Sequence, residues 1–283
     1  MTSLLDTSTS VPFDLVAHDL RVAIHQHAVD VVYQPIVDAQ TGEVRHLEAL
    51  LRWHRVGHGP VAPMEVIALA EANGLMMSLT ALVLDRALSQ LVQLQDQWPG
   101  LAVSVNLAAS SLTEIDLVDC VAAALARHHV TPSALILELT EGGISTDIGA
   151  VRRVTSSLRA LGVRIAVDDY GSGQASIGFL RQIEFDLVKI DRSIVATLST
   201  SRIDAAIVRT TIDLAKSLDL EVVAEGVETR EEIEILRSYG CNFAQGYFFS
   251  RPLTARHLDA WMAERKLTEN GDGGSSPLRA HNC

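Results

Sequence analysis

Cysteine is scarce in this 283-residue chain: Cys120, Cys241 and Cys283 are odd in number, stand far apart and form no CxxC pair. That excludes a disulfide framework and fits a reducing compartment. Zinc-ligand spacing is missing too. None of the ten histidines falls in an HExxH pattern. His128-His129 close an apolar helical stretch and read as solvated histidines rather than ligands. Positive charge is in short supply, with 23 Lys and Arg against 35 Asp and Glu and a formal net charge of −12. Such a chain has no general electrostatic reason to bind nucleic acid polymers or anionic membranes. No apolar run approaches the roughly 18–20 residues of a membrane span. The opening MTSLLDTSTSVPFDL lacks a basic n-region and a long h-region, so it is no signal peptide. The expectation is a soluble, cytoplasmic protein.

What is present is material for a core. Hydrophobic residues make up 48% and charged residues 20%, ordinary values for a globular protein. The length suits one large domain or two small ones, and α/β barrels often reach it as single units. Residues 1–14 read as a flexible leader. Residues 266–283 (KLTENGDGGSSPLRAHNC) read as a disordered tail without apolar periodicity. The domain then spans 15–265.

Within it strand and helix patterns alternate. Short apolar, β-branched runs bounded by turn signals predict strands over 31–37, 44–53, 101–107, 134–140, 164–170, 187–191, 221–227 and 243–249. Helical spacing predicts helices over 80–97, 113–129 and 204–218. Another helix starts at the capping-box-like Thr229-Arg-Glu-Glu232 and stops at Gly240. Eight strands alternating with helices predict a TIM-like (β/α)₈ barrel, whose site lies at the strands' C-terminal ends. One pair breaks the pattern. Only Asp38-Ala-Gln-Thr-Gly-Glu43 separates the first two strands, too little for a parallel crossover, so the first strand is expected to be antiparallel.

The predicted strand ends carry acids: Glu48, Glu138, the adjacent Asp168 and Asp169, and Glu225. A buried carboxylate must be hydrogen-bonded, paired or bound to a cation. Gln34, Asn106, Glu141, Lys189, Glu228 and Gln245 fall at or near the same ends. Carboxylates with an asparagine and no thiol are a hard-oxygen set, suited to Mg²⁺ or Mn²⁺ rather than zinc. Adjacent aspartates can splay towards two ions, and a pair about 3.5–4 Å apart suits in-line phosphoryl displacement. Taken singly, most of these residues have plainer readings: helix N-terminal charges for Glu141 and Glu228, backbone satisfaction for Gln34 and Gln245, a salt bridge for Lys189.

Taken in order they resemble a known family. Glu48-Ala-Leu50 with Leu51-Arg-Trp53 resembles the signature of the EAL family of cyclic di-GMP phosphodiesterases. The resemblance continues through Tyr33-Gln-Pro-Ile-Val37, Val103-Ser-Val-Asn-Leu107 and Glu138-Leu-Thr-Glu141. It runs on through Asp168-Asp-Tyr-Gly-Ser-Gly173, Lys189-Ile-Asp191, Ala224-Glu-Gly-Val-Glu-Thr229 and Gln245-Gly-Tyr247, covering about residues 18–262. It implies two ions, Mg²⁺ or Mn²⁺, one held by Glu48, Asn106, Glu138 and Asp168, the other by Asp168, Asp169 and Glu225. Lys189 would orient the attacking water, and Glu225 is also a candidate proton acceptor. Gln34 and Arg52 would contact the substrate, and Gln245 the water or its surroundings. Glu141 would tether the loop after Asp169, with Glu228 in support. The implied reaction opens cyclic di-GMP to linear pGpG.

The chain also departs from the family pattern. Gln174 and Ala175 replace an aromatic and a serine in the loop after the paired aspartates, where the family couples dimer contacts to metal binding. Tyr170 and Ser172 are mild changes, Arg55-Val56 looks peripheral, and Glu184 stands where proline is usual. A homodimer is expected by resemblance. The leader is too short for a cyclase or sensory domain, so the chain reads as a standalone unit taking any input from a regulatory protein partner, expression or metal supply. The competing reading is a catalytically weak cyclic di-GMP receptor. That class usually loses metal ligands, and here every ligand position is filled. A partner-binding scaffold would also have lost Arg52 and Gln34.

Overall fold

The computed structural model describes residues 13–113, 116–140, 147–172 and 177–271. Its strands are β1 (Asp30–Asp38), β2 (Val44–Arg55), β3 (Gly59–Val61), β4 (Ala102–Leu107), β5 (Leu135–Thr140), β6 (Arg164–Tyr170), β7 (Leu187–Ile190), β8 (Glu221–Ala224), β9 (Phe243–Ala244) and β10 (Leu253–Thr254). The helices are α1 (Phe13–His25), α2 (Pro63–Ala72), α3 (Met76–Gln95), α4 (Asp116–His128), α5 (Ile148–Ala160), α6 (Ile177–Leu180), α7 (Arg192–Val195), α8 (Arg202–Ser217), α9 (Arg230–Tyr239) and α10 (Ala255–Gly271).

Each of the eight expected strands is present. β2 and β4 to β9 run parallel, and β1 closes the barrel by pairing antiparallel with both β2 and β9. The five-residue connection after β1, Ala39 to Glu43, forces that reversal. β3 and β10 are additions that the pattern did not reveal: β3 folds back on the end of β2, and β10 flanks β1. With two or three residues each, neither is long enough to show alternation.

The helices coat the barrel. In α3, Leu84, Leu88, Leu91 and Leu94 are buried, each worth about 1.5–3 kcal/mol relative to exposure. α9 begins with the full capping box at Thr229 and Glu232 and ends at Gly240 in the left-handed conformation (φ 72°). Both come from local sequence: Thr caps orphan N–H groups, and Gly adopts positive φ without penalty.

Several boundaries shift. The strands expected over 221–227 and 243–249 end at Ala224 and Ala244. α1 starts at Phe13, inside the expected leader, and α10 runs to Gly271, so residues 266–271 of the expected tail are helical. Lys266-Leu-Thr-Glu269 contains good helix formers that extend the helix until glycine. Arg55 is also less peripheral than expected. It is buried, and its Nε donates to Asp19 Oδ2 at 2.7 Å, tying the end of β2 to α1. Nor is His128 simply solvated: its Nε2 lies 2.8 Å from Asp85 Oδ1, linking α4 to α3. Glu184 pairs with Arg159 at the surface. Among the described residues no helix is long and apolar enough to cross a membrane.

The barrel interior is layered. Ile36, Ala102, Ile136, Ala166, Leu187, Val223 and Phe243 form one apolar cluster, a residue from each of seven strands. The eighth strand contributes His46, opposite Ile36 and with its ring 4.7 Å from Phe243. Because side chains on a strand alternate, the inward position two residues further along each parallel strand makes the next layer. Those positions are Glu48, Ser104, Glu138, Asp168, Lys189, Glu225 and Gln245. On the reversed β1, Gln34 comes two residues before Ile36. An apolar floor therefore carries a polar ceiling.

Candidate active site

The polar layer gathers around Lys189, which is 1% exposed. Its Nζ lies 2.6 Å from Glu225 Oε1, 2.8 Å from Glu138 Oε2, 3.3 Å from Asp168 Oδ1 and 3.6 Å from Glu48 Oε1. Glu48 is held on both oxygens. Asn106 Nδ2 donates to Oε1 at 2.9 Å and Gln245 Nε2 to Oε2 at 2.6 Å. Gln245 Nε2 also reaches Gln34 Oε1 at 3.1 Å, and Gln34 Nε2 donates to Ser250 O at 3.1 Å.

Local backbone shape brings in the second aspartate. β6 loses regular register with β7 between Val167 and Tyr170, and Asp169 takes a positive φ of 55°. Aspartate is among the few residues that tolerate this region. As a result carboxylate oxygens of Asp168, Asp169 and Glu225 lie within 4.8 Å of one another. Gly246 keeps Gln245 in place: a Cβ there would lie 2.0 Å from Val227 O. Only glycine allows this approach between the end of β9 and the turn after Glu225.

The electrostatics record crowding. Burial, against the pull of Lys189 and with the push of Glu48 and Asp168, raises Glu138 to about 8. Burial and the neighbouring acids likewise raise Glu225 well above the carboxylate range. Burial, then Asp168 and Asp191, push Asp169 up to about 6. Glu48 goes the other way: burial would raise it, but Lys189, Gln245 and Asn106 together hold it below its ordinary value. Lys189 stays charged because four carboxylates outweigh its own desolvation.

Four carboxyl groups thus share one ammonium, with Asp169 beside them. The donor set is all hard oxygen, and the buried Gln245 Oε1 has no hydrogen-bond partner among the described residues. Both features fit divalent cations, with Glu48, Asn106, Glu138, Asp168, Asp169 and Glu225 as the residues able to hold them.

A cavity of about 500 Å³ opens beside the cluster, within the usual range of small-molecule sites. Gln34, Glu48, Asp168, Glu225, Glu228 and Gln245 of the expected set line it. Arg52 does not: its Nη1 donates to Leu51 O at 2.7 Å. Glu141, Gln174 and Ala175 lie outside the described residues. Arg192, Ser193 and Ala196 line it and belong to none of the sequence motifs, and Tyr247, quoted in Gln245-Gly-Tyr247, lines it without having been given a role. Arg192 and Ser193 follow directly on Lys189-Ile-Asp191, where Asp191 caps α7 and turns the chain over the mouth. Tyr247 is half exposed, with the Arg251 guanidinium 4.3 Å from its ring centre.

Known proteins share this arrangement. The chain is 39% identical over 247 residues to the bifunctional diguanylate cyclase/cyclic di-GMP phosphodiesterase MucR of Pseudomonas aeruginosa, covering 87% of this chain and 36% of that protein. It is 37% identical over 265 residues to the cyclic di-GMP phosphodiesterase NbdA of the same organism, covering 93% of this chain and 33% of that one. The chain therefore spans about a third of the length of these relatives. The solved structure of the P. aeruginosa MucR phosphodiesterase in complex with c-di-GMP superposes with a TM-score of 0.79 at 39% identity, covering 86% of this chain and 99% of that one. The EAL domain family pattern matches residues 17–252. With the barrel, its reversed first strand and the acid cluster all in place, the chain belongs to the EAL domain family.

Proposed function

We propose that the chain is a divalent-cation-dependent phosphodiesterase that opens cyclic di-GMP to linear pGpG. The observation that carries this reading is the convergence of four carboxyl groups on Lys189, with Asp169 grouped beside two of them, at the wall of an open cavity. Glu48, Asn106, Glu138 and Asp168 would hold one ion, Mg²⁺ or Mn²⁺, and Asp168, Asp169 and Glu225 a second. When bound, such ions acidify water and neutralise charge developing on phosphorus-bound oxygens.

The chain's own residues do the remainder. Lys189 brings three N–H donors to orient the attacking water. Glu225, whose proton affinity burial raises, accepts its proton. Gln34 and Gln245 brace Glu48 and present amides at the cavity wall. Arg52 joins the substrate only by releasing Leu51 O, and Glu228, on the lining, supports the turn after Glu225. Glu141 is proposed to tether the loop after Asp169. A homodimer, a regulatory protein partner and a cytoplasmic location complete the proposal. Sedimentation of the purified chain tests the dimer.

The test of function is chromatographic product analysis after incubation with cyclic di-GMP and Mg²⁺ or Mn²⁺, with a chelator control. Metal-dependent pGpG is the expected result. Intact substrate under every metal, with binding retained, would replace the enzyme reading by a receptor.

A further inference from the structure

The barrel has a second concavity at its other end, where the parallel strands begin, with a volume of about 540 Å³. Arg45 and His46 from β2, Arg164 from the head of β6, Glu221 from the head of β8 and Phe243 from β9 form its walls. Arg164 organises them. Its Nε donates to Ser133 O at 3.0 Å and its Nη1 to Glu221 Oε2 at 3.2 Å, while Nη2 reaches His46 Nε2 only at 3.5 Å.

A guanidinium has no acceptor, so this last contact makes His46 Nε2 the acceptor and leaves the ring proton on Nδ1. His46 is 4% exposed, and its Nδ1 has no hydrogen-bond partner among the described residues. A buried donor left unpaired is costly and calls for an acceptor. Each neighbouring acid has an oxygen engaged. Asp38 Oδ1 accepts the N–H groups of Gln40 and Thr41 at 2.9 and 2.8 Å, and Glu221 Oε2 is engaged by Arg164. Arg45 pairs with Glu43 at the surface, where both side chains are about half exposed, an arrangement that holds a side chain weakly. Arg45, Arg164 and the His46 Nδ1 thus bring donor groups together at this cavity.

The geometry points to a second binding site, taking a small oxyanion (a carboxylate or phosphate group) between Arg45 and Arg164 with His46 as a neutral donor beneath. It is separate from the acidic end, on the far side of the apolar floor. Guanidinium groups suit such a ligand because their paired N–H groups match two oxygens.

The test uses the full chain with ¹⁵N-labelled histidine in chelator, so that phosphate cannot enter the acidic end through a metal. Inorganic phosphate and acetate are titrated separately, with chloride matching ionic strength, and the His46 resonance is assigned by its loss in His46→Phe. A saturable His46 shift with one of the two anions is expected, and the arm that saturates identifies the oxyanion. Its affinity should fall about tenfold or more, roughly one good interaction, in Arg45→Gln and in Arg164→Gln. Arg45 is exposed, so Arg45→Gln keeps the fold and the hydrolysis of cyclic di-GMP. Absence of a saturable shift with both anions would overturn the site and leave Arg164–Glu221 a structural clamp. So would a shift that chloride reproduces or that survives in both variants.

Discussion

Lys189 brings a single positive charge to four carboxyl groups, and each of its contacts reports on what else the site must hold. Removing one partner from a buried charged cluster costs about 3–5 kcal/mol, so Lys189→Met is expected to destabilise the metal-free chain. Its hydrolysis of cyclic di-GMP should fall by about 10²–10⁴-fold, the range for a group that positions or transfers a proton. Thermal unfolding with and without Mn²⁺ separates the two effects. Recovery of stability without recovery of turnover is the expected pattern. Glu48 makes the sharper case, since Asn106 and Gln245 both exist around it. Glu48→Ala should lose more than the about 10–100-fold that a metal's outer partners are worth, with near-ultraviolet circular dichroism unchanged. Unchanged turnover would remove Glu48 from the site. The acids were legible in the chain because each follows a strand-like run. Arg192 and Ser193 were not, because lining a cavity depends on how a turn folds over the mouth and leaves no local pattern.

Secondary-structure elements were legible where burial enforces a period. β4 to β9 each alternate an apolar floor residue with a more polar one above it, as in Ile136 and Glu138 or Leu187 and Lys189. Helix ends were legible where chemistry dictates them, as at Thr229 and Gly240. They were not legible at α2 and α3, whose N-caps are Ala62 and Leu75 with no side-chain cap bond. The short α7 and the strand β3 escape for lack of length. Thr229→Ala should lower stability by about 1 kcal/mol through loss of the cap, read from urea unfolding. Gly246→Ala should do more damage, because its new methyl would collide with the Val227 backbone rather than a movable side chain. An unfolding midpoint equal to the wild type in Gly246→Ala would contradict the close approach.

At the scale of the whole molecule, the acid cluster links stability to pH and to cations. Glu138 and Asp169 carry values of about 8 and about 6, above the ordinary carboxyl range. The folded chain therefore keeps protons that the unfolded chain has released. Stability is intact below the unfolded values and is lost as pH rises through the folded ones. In chelator, the melting temperature should fall between about pH 5 and 8. Excess Mg²⁺ or Mn²⁺ should close that gap, giving about 2.7 kcal/mol at a hundredfold excess over Kd. A melting temperature flat in chelator across the window would show that these acids do not control stability. The reversed first strand has a further result. Because β1 runs against its neighbours, Asp30 at its start pairs with Arg52 near the end of β2, and α1 is pinned there through Arg55 and Asp19. The polypeptide thus enters the barrel at the reacting rim, where a regular barrel would be entered from the back. α1 therefore stands against the rim that carries the acid cluster, and β1 runs on from that rim to Gln34.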